Sequence, residues 1–148
     1  MKDWVDVQLT QRLQADARQS VAELARHLKM SGPSVSERLK RLEEQGAITG
    51  YAPVIDYRQW GYSLQALVRL RPLPGQLKAL EARIVATPQI VECDKVTGDD
   101  CFIARLLLSD IAELDEQLDG FNELATTSTS IVKANTVLKR LPPLRAEH

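Results

Sequence analysis

Two adjacent acids, Asp99 and Asp100, are the first side chains in the sequence that could take part in catalysis. A carboxyl pair serves general acid–base chemistry when both groups face one reacting atom. Adjacent residues of a turn usually point apart, and the sequence offers no identifiable base or nucleophile beside them. We therefore predict no catalytic residues, and we do not expect an enzyme.

Two cysteines, Cys93 and Cys101, are the second candidates, because thiolates bind metal ions. The sequence has only two histidines, His27 and His148, and it contains no Cys-x-x-Cys or His-x-x-x-His spacing. Two thiols are also too few for a disulfide framework and suit a reducing cytoplasm. We predict no metal site and no cofactor, and we interpret both cysteines as small apolar side chains of strands.

Basic side chains are concentrated between Ser31 and Leu42, in a chain whose formal net charge is only −1. At 100° per residue, Val35, Leu39 and Leu42 lie on one side of a helix. The outward side carries arginine and lysine, which contact phosphate or guanine, and small hydroxyls, which allow close approach to DNA. An ordinary helical hairpin would show the same apolar stripe, so the DNA-binding hypothesis depends on the polar face. The predicted DNA-contacting residues are Ser34, Ser36, Glu37, Arg38, Lys40 and Arg41, with Ser36 and Arg38 on the flanks.

The turn formed by residues 97–100 is a candidate ligand site of another kind. Gly98 permits a positive φ and the close approach of a ligand to the backbone. The turn amides could hold a carboxylate and a nearby aspartate could pair with an ammonium, which are the two charges of a free amino acid. A plain β-turn between two strands accounts for the same residues, so the pattern alone leaves both interpretations open.

Three short helical patterns in the first fifty residues must position the basic segment. The first runs from about Asp6 to Gln14. Ser20 and Glu23 form a capping-box pattern at the start of the second, and Ser31 and Gly46 mark the start and the end of the third. Two helices of about eight and thirteen residues joined by a short turn are typical of a helix-turn-helix.

From Tyr62 onward the pattern is β-α-β-β-α-β. Strands are predicted at about 64–71, 90–96, 101–108 and 127–138, with helices after the first and third strands. Asp110 and Glu113 predict an acidic capping box at the start of the second of these helices. This arrangement folds as a ferredoxin-like sandwich, with both helices on one face of a four-stranded antiparallel sheet.

The third strand of this pattern is apolar on both faces. In the run from Phe102 to Leu108 only Arg105 is polar. One face packs under the helices, and the other is expected to be open to water unless a partner covers it. We therefore predict a two-fold dimer through the sheet face, an arrangement that also lets a helix-turn-helix reach two half-sites of DNA.

The overall composition is that of a globular protein. Hydrophobic residues make up 44% and charged residues 26% of the 148 residues, with 7 glycines and 7 prolines, which excludes disordered and collagen-like chains. No apolar stretch approaches the roughly 20 residues that a membrane span needs, and the N-terminus shows no signal-peptide pattern. We expect a soluble, cytoplasmic protein with no membrane partner.

Six sequence segments, some of them discussed above, follow one another in an order and at a spacing that is typical of one protein family. They are Asp16–Arg18 through Leu24–Ala25, Met30–Glu43, Gly46–Tyr51, Asp56 with Gly61–Tyr62, Val96–Phe102 and Thr127–Val132. Over about residues 3–139 this pattern resembles the leucine-responsive regulator/AsnC family of transcription regulators. Many members carry a tyrosine or another residue and then aspartate where this chain has Asp100 and Cys101, so the chain departs from the family pattern at two positions of the turn.

The resemblance implies a winged helix-turn-helix, a linker strand, and an effector-sensing domain that forms dimers and larger even-numbered assemblies. It also favours a ligand site at the turn, located where dimers meet. The effector-binding residues expected from it are Thr97, Gly98, Asp99, Asp100, Cys101, Thr129 and Ser130.

We therefore predict an α+β protein with four segments. They are residues 1–50 for DNA binding, 51–61 as linker strand, 62–140 for sensing and oligomerisation, and 141–148 as a tail. The predicted function is sequence-specific binding of double-stranded DNA, modulated by a small-molecule effector that we expect to be an amino acid. The alternative is a small-molecule-binding or enzymatic ferredoxin-like protein whose helical N-terminus serves only assembly.

Overall fold

The computed structural model describes residues 2–146, so His148 lies outside the described residues. Within these residues, internal contacts divide the chain into two compact units, 2–54 with 137–146 and Ile55–Thr136. None of the helices in residues 2–146 is both long and apolar enough to cross a membrane.

The first unit contains three helices, α1 (Trp4–Ala15), α2 (Val21–Leu28) and α3 (Gly32–Glu44). The predicted capping box of α2 is confirmed, because the Glu23 amide donates to Ser20 Oγ at 3.1 Å and the Ser20 amide donates to the Glu23 carboxylate at 3.2 Å. α1 starts earlier than predicted, because Asp3 caps it through a second, acidic box with Asp6. The core of this unit consists of Leu9, Leu13, Leu24, Ala25, Val35 and Leu42.

The end of α3 confirms the predicted left-handed glycine. Gly46 has φ +69, its amide donates to the Glu43 carbonyl at 3.0 Å, and the Ala47 amide donates to the Leu42 carbonyl at 2.9 Å. This pair of bonds is a Schellman motif, which satisfies carbonyls that the helix itself leaves without partners.

The predicted linker strand, residues 51–61, is not a strand in the described chain. It has irregular backbone followed by a 3₁₀ turn at Tyr57–Trp60. A strand needs a neighbour to pair with its amides and carbonyls, and the described residues of this single chain provide none there. Residues 47–50 likewise form no hydrogen-bonded wing strand within the described chain.

The second unit has the predicted order of elements. They are β1 (Leu64–Pro72), α4 (Leu77–Val85), β2 (Ile90–Lys95), β3 (Phe102–Leu108), α5 (Ile111–Asp119) and β4 (Ala125–Ile131). The strands form one sheet in the order β2-β3-β1-β4, and every paired neighbour is antiparallel. The fold-class prediction, an α+β chain with a winged helix-turn-helix followed by a ferredoxin-like sandwich, is confirmed for the helix-turn-helix and for the sandwich.

The third strand has one face in the helix-covered core, where Phe102, Ala104, Leu106 and Leu108 are buried. The expectation that its other face lies open to water is wrong for Leu107, which is only 3% exposed in the single chain. Leu107 lines a small pocket together with Tyr57, Tyr62, Pro88, Gln89 and Val91. Residues outside the strand ladder therefore already cover part of this face.

Two local predictions are corrected. The last strand ends at Ile131 instead of Leu138, because it pairs with β1 and β1 begins at Leu64. The Val132 amide makes the last of these bonds, to the Gln65 carbonyl at 2.9 Å. The acidic capping box is only half formed: Asp110 accepts from the Glu113 amide, whereas the Glu113 carboxylate accepts from the amide and hydroxyl of Ser109.

Candidate DNA interface and effector site

The first turn of α3 brings small hydroxyls to an exposed helix N-terminus. Ser31 Oγ accepts from the Ser34 amide at 3.3 Å, and the two hydroxyls lie 2.8 Å apart. Pro33 fits here because the first helical amides have no partner inside the helix. Exposed amides at a helix N-terminus favour negatively charged groups such as phosphate.

Most of the predicted DNA-contacting side chains are exposed along α3. Ser34, Ser36 and Glu37 are exposed, and the side chains of Lys40 and Arg41 are 75% and 48% exposed. Lys40 Nζ lies 3.7 Å from a Glu44 carboxylate oxygen, four residues further along the helix. Exposed pairs of this kind are worth less than about 1 kcal/mol, so Lys40 can exchange its partner for a phosphate.

Arg38 is placed differently from the other predicted contacts. Its side chain is 23% exposed, and its Nη1 lies 2.7 Å from Asp3 Oδ2 and 3.0 Å from Asp6 Oδ1. The hydrogen bond to Asp3, followed by that to Asp6, raises the pKa of the Arg38 guanidinium against the opposing effect of burial. Arg38 therefore contacts the start of α1 and is not exposed like the other predicted DNA-contacting side chains.

The two acids that hold Arg38 are missed by the sequence analysis. Asp3 and Asp6 follow an Asp-x-x-Asp pattern directly before an apolar helical stripe, which is the acidic form of a capping box. That pattern would have identified the helix start. It does not predict that an arginine more than thirty residues later joins the cap.

The predicted effector turn has unusual backbone. Gly98 has φ +100, and a Cβ built there would have no heavy atom within 4 Å. Cys101 also has a positive φ, +51, which is uncommon for a residue other than glycine. The Cys101 carbonyl accepts from the Val96 amide at 2.6 Å, and the Asp100 carbonyl accepts from the Phe102 amide at 2.5 Å. The turn is therefore closed by its own backbone, with open space beside Gly98.

Two arginines of β1 lie beside the turn, and they too are missed by the sequence analysis. Arg71 Nε donates to the Asp99 carbonyl at 3.1 Å, and its Nη2 lies 3.8 Å from Asp100 Oδ1. Arg69 Nε lies 3.8 Å from Asp100 Oδ2. The alternation of Arg69 and Arg71 along β1 was visible, but the pairing of β1 with β3 had to be known to place them at the turn.

The structure does not bring Thr129 and Ser130 to the turn within one chain. Thr129 pairs with Val68 and Ser130 pairs with Leu67, so the two side chains lie on opposite faces of the sheet. Phe102, the first residue after the turn, lies on β3 opposite Leu70 of β1, so it is two positions and two strands away from Thr129 on β4. At about 3.4 Å per residue and 4.8 Å per strand, this separation is too large for one small ligand to bridge by direct contact.

The two cysteines are placed as small apolar side chains. Both are partly buried and pack against the core of the second unit. Burial, and to a smaller extent the charges of Asp94 and Glu81, raises the pKa of the Cys93 thiol. A raised pKa disfavours the thiolate that reacts or binds metal. Among residues 2–146, no three potential metal-ligating side chains are grouped together.

Each of the two units matches a known protein-family domain. Residues 3–43 match the AsnC-type helix-turn-helix domain, and residues 65–141 match the Lrp/AsnC ligand binding domain. The chain is 30% identical over 147 residues to the HTH-type transcriptional regulator Rv2324 of Mycobacterium tuberculosis, covering 95% of this chain and 97% of that protein.

Solved structures agree with this assignment. The feast or famine regulatory protein Rv3291c from M. tuberculosis, complexed with L-methionine, superposes with a TM-score of 0.86 at 26% identity, covering 93% of this chain and 96% of that one. The structure of Bacillus subtilis LrpC has a TM-score of 0.89 at 24% identity, covering 94% and 99%, and shares the fold. The relatives are transcription regulators, so the prediction of a non-enzymatic regulator is confirmed over the enzymatic alternative. The chain belongs to the Lrp/AsnC family of DNA-binding transcription regulators.

Proposed function

We propose that α3 is the helix that reads DNA, through Ser34, Ser36, Glu37, Lys40 and Arg41. The observation that carries this assignment is the exposed face of α3, which combines two cations with an N-terminus flanked by small hydroxyls. Lysine and arginine supply phosphate or guanine contacts, whereas serine and glutamate can reach base edges directly. Arg38 is engaged by carboxylates and is not included among the direct contacts.

The test is DNA affinity after removal of the two exposed cations. We expect Lys40→Ala and Arg41→Ala each to weaken binding to the tightest duplex enriched from a random pool by about 1–3 kcal/mol if the cation contacts a base, and less if it contacts phosphate alone. Lys78→Ala, which removes an exposed cation of α4 in the other unit, is the matched control and should leave the affinity unchanged. Unchanged affinity in both α3 variants would contradict the assignment.

We further propose that the turn Thr97, Gly98, Asp99, Asp100 and Cys101 binds a free amino acid. Support comes from the open space beside Gly98 and from the half-exposed Asp100 carboxylate, which suits an ammonium group. Two similar regulators, Rv3291c and NMB0573 of Neisseria meningitidis, were solved as L-methionine complexes. Thr129 and Ser130 would have to come from a second copy of the chain to join the same site.

A thermal-shift screen against the twenty amino acids tests this site. A ligand present at 100 times its dissociation constant should add about 2.7 kcal/mol to the free energy of unfolding. If no amino acid raises the melting temperature, the effector belongs to another chemical class.

We also propose a homodimer, assembling into larger even-numbered oligomers, with the helix-free face of the sheet as its interface. Leu67 and Ile103 lie on this face and are only half-buried in the single chain. Ile103→Asp in the full chain should shift sedimentation toward the monomer, whereas a monomeric wild type at micromolar concentration would contradict the proposal. An effector at the turn would then alter DNA binding by favouring one assembly over another.

The remaining assignments follow from these roles. We propose that residues 1–50 bind DNA, 51–61 act as a linker, 62–140 sense and oligomerise, and 141–148 form a tail. We propose a cytoplasmic location, because the relatives include bacterial regulators and bacterial chromosomal DNA lies in the cytoplasm.

A further inference from the structure

The start of α1 contains a cap that is shared with α3. Asp3 Oδ1 accepts from the Asp6 amide at 2.9 Å, and Asp6 Oδ2 accepts from the Asp3 amide at 3.4 Å. Each carboxylate thereby uses one oxygen for the helix cap. Its other oxygen accepts from Arg38 Nη1, at 2.7 Å for Asp3 and 3.0 Å for Asp6. One guanidinium nitrogen thus donates to both carboxylates and connects α3 to the start of α1.

The burial of Asp6 decides whether Arg38 can leave this cluster. The Asp6 side chain is 5% exposed, and a buried carboxylate that loses its partner is strongly destabilising. The Asp3 and Asp6 carboxylates would both lose the Arg38 donor that they share. Arg41 Nη2 lies 3.9 Å from the same Asp6 oxygen, at the limit of an ion pair, and its side chain is twice as exposed as that of Arg38. Arg41 can therefore turn toward DNA at low cost, whereas Arg38 cannot.

We propose that Arg38 is a positioning residue, which sets the orientation of α3 through Asp3 and Asp6 and does not itself neutralise a phosphate. This inference rests on the proposed role of α3 as the DNA-reading helix. Asp6 is then a determinant of specificity, because base contacts tolerate misplacement of a helix less well than phosphate contacts do. The lowered pKa of Asp3, due first to the Asp6 amide and then to Arg38, agrees with a cap that stays ionised.

Salt dependence of DNA binding separates positioning from phosphate contact. The slope of log K against log salt changes by about 0.9 for each phosphate contact that is lost. With the enriched duplex as probe, Arg38→Gln should weaken binding at least about fivefold, the lower range for one lost base contact, and leave this slope unchanged. With a composition-matched shuffled duplex, affinity should stay the same. Arg38→Gln with a slope reduced by about 0.9 on both duplexes would overturn the proposal, and so would unchanged affinity on both.

A double-mutant cycle tests whether Arg38 acts through Asp6. If it does, Asp6→Asn and Arg38→Gln should each lower the preference for the enriched duplex, and the double variant should lose no more than the worse single variant. Additive losses would overturn the proposal. Thermal melting of each variant, with binding measured at least about 15 °C below its midpoint, ensures that folded protein is compared.

Arg41→Gln distinguishes a failure of this inference from a failure of the proposed function. If Arg41→Gln weakens binding and Arg38→Gln behaves as a phosphate contact, α3 reads DNA and only the positioning role is wrong. If neither Arg41→Gln nor Arg38→Gln changes affinity for either duplex, α3 is not the DNA-reading helix, and both proposals fail.

Discussion

A substitution at Asp100 should weaken effector binding strongly while changing the stability of the ligand-free protein only slightly. Its carboxylate is 43% exposed and lies 3.8 Å from Arg69 Nε and 3.8 Å from Arg71 Nη2. Exposed pairs at such distances contribute less than about 1 kcal/mol each. The two pairs together contribute less than about 2 kcal/mol, so for a chain of this length Asp100→Asn should lower the melting temperature by less than about 8 °C in the absence of ligand.

The same substitution should have a much larger effect on the effector. A hydrogen bond between charged groups is worth about 1.5–3 kcal/mol, so loss of the carboxylate charge should raise the dissociation constant about 10- to 150-fold. At a ligand concentration that adds about 2.7 kcal/mol to the wild type, the variant should gain only about 0.3–1.3 kcal/mol. The wild-type shift of about 5–11 °C would shrink accordingly.

The assay is thermal unfolding with and without the amino acid that stabilises the wild type most. Asp115→Asn, at an exposed position of α5, is the control and should retain the full ligand shift. A ligand shift in Asp100→Asn equal to that of wild type would refute the assignment of the turn. A ligand-free loss of several kcal/mol would show that Asp100 is a structural residue instead.

Three further predictions concern the two units. Leu106 is fully buried between the sheet and the helices, so Leu106→Ala should lower the free energy of unfolding in urea by about 2–5 kcal/mol, and a loss below about 1 kcal/mol would contradict this packing. Ser31→Ala removes the hydroxyl that caps α3, so it should lower the free energy of unfolding in urea by about 1 kcal/mol. An unchanged free energy of unfolding would contradict this cap. The pKa of Asp3 is lowered in the folded state, so its contribution is complete above the unfolded pKa of about 4 and is lost as the pH falls through the lower folded pKa. The difference in melting temperature between wild type and Asp3→Asn should therefore shrink below about pH 4, and a constant difference would contradict the ion pair.

Local signals in the sequence were sufficient for most of the fold. The Ser20–Glu23 box, Pro33 after Ser31, and Gly46 each act within a few residues, so the bounds of α2 and α3 could be predicted closely. Alternation along the strands predicted the β-α-β-β-α-β order, because the two faces of a half-buried strand differ in polarity.

The errors arose where the outcome depends on residues distant in sequence. The end of β4 is set by the length of its partner β1, which no pattern within residues 125–138 reveals. The pocket beside Leu107 is lined by Tyr57, Tyr62, Pro88, Gln89 and Val91, which are distant from it in sequence. The role of Arg38 depends on Asp3 and Asp6, since a helical wheel gives the direction of a side chain but not what it meets. Likewise, the proximity of Arg69 and Arg71 to the turn depends on the register between β1 and β3, which the sequence pattern does not reveal.

The central claim is that α3 reads the sequence of DNA, and the direct measurement is the ratio of two dissociation constants. These are the constants for the shuffled and for the enriched duplex at physiological salt. A specific regulator should give a ratio of about 10³–10⁷, and Arg41→Ala should lower that ratio by about 5- to 150-fold if Arg41 contacts a base. Equal affinity of the wild type for both duplexes would contradict the account, and so would Lys40→Ala and Arg41→Ala variants that both keep the full affinity for the enriched duplex.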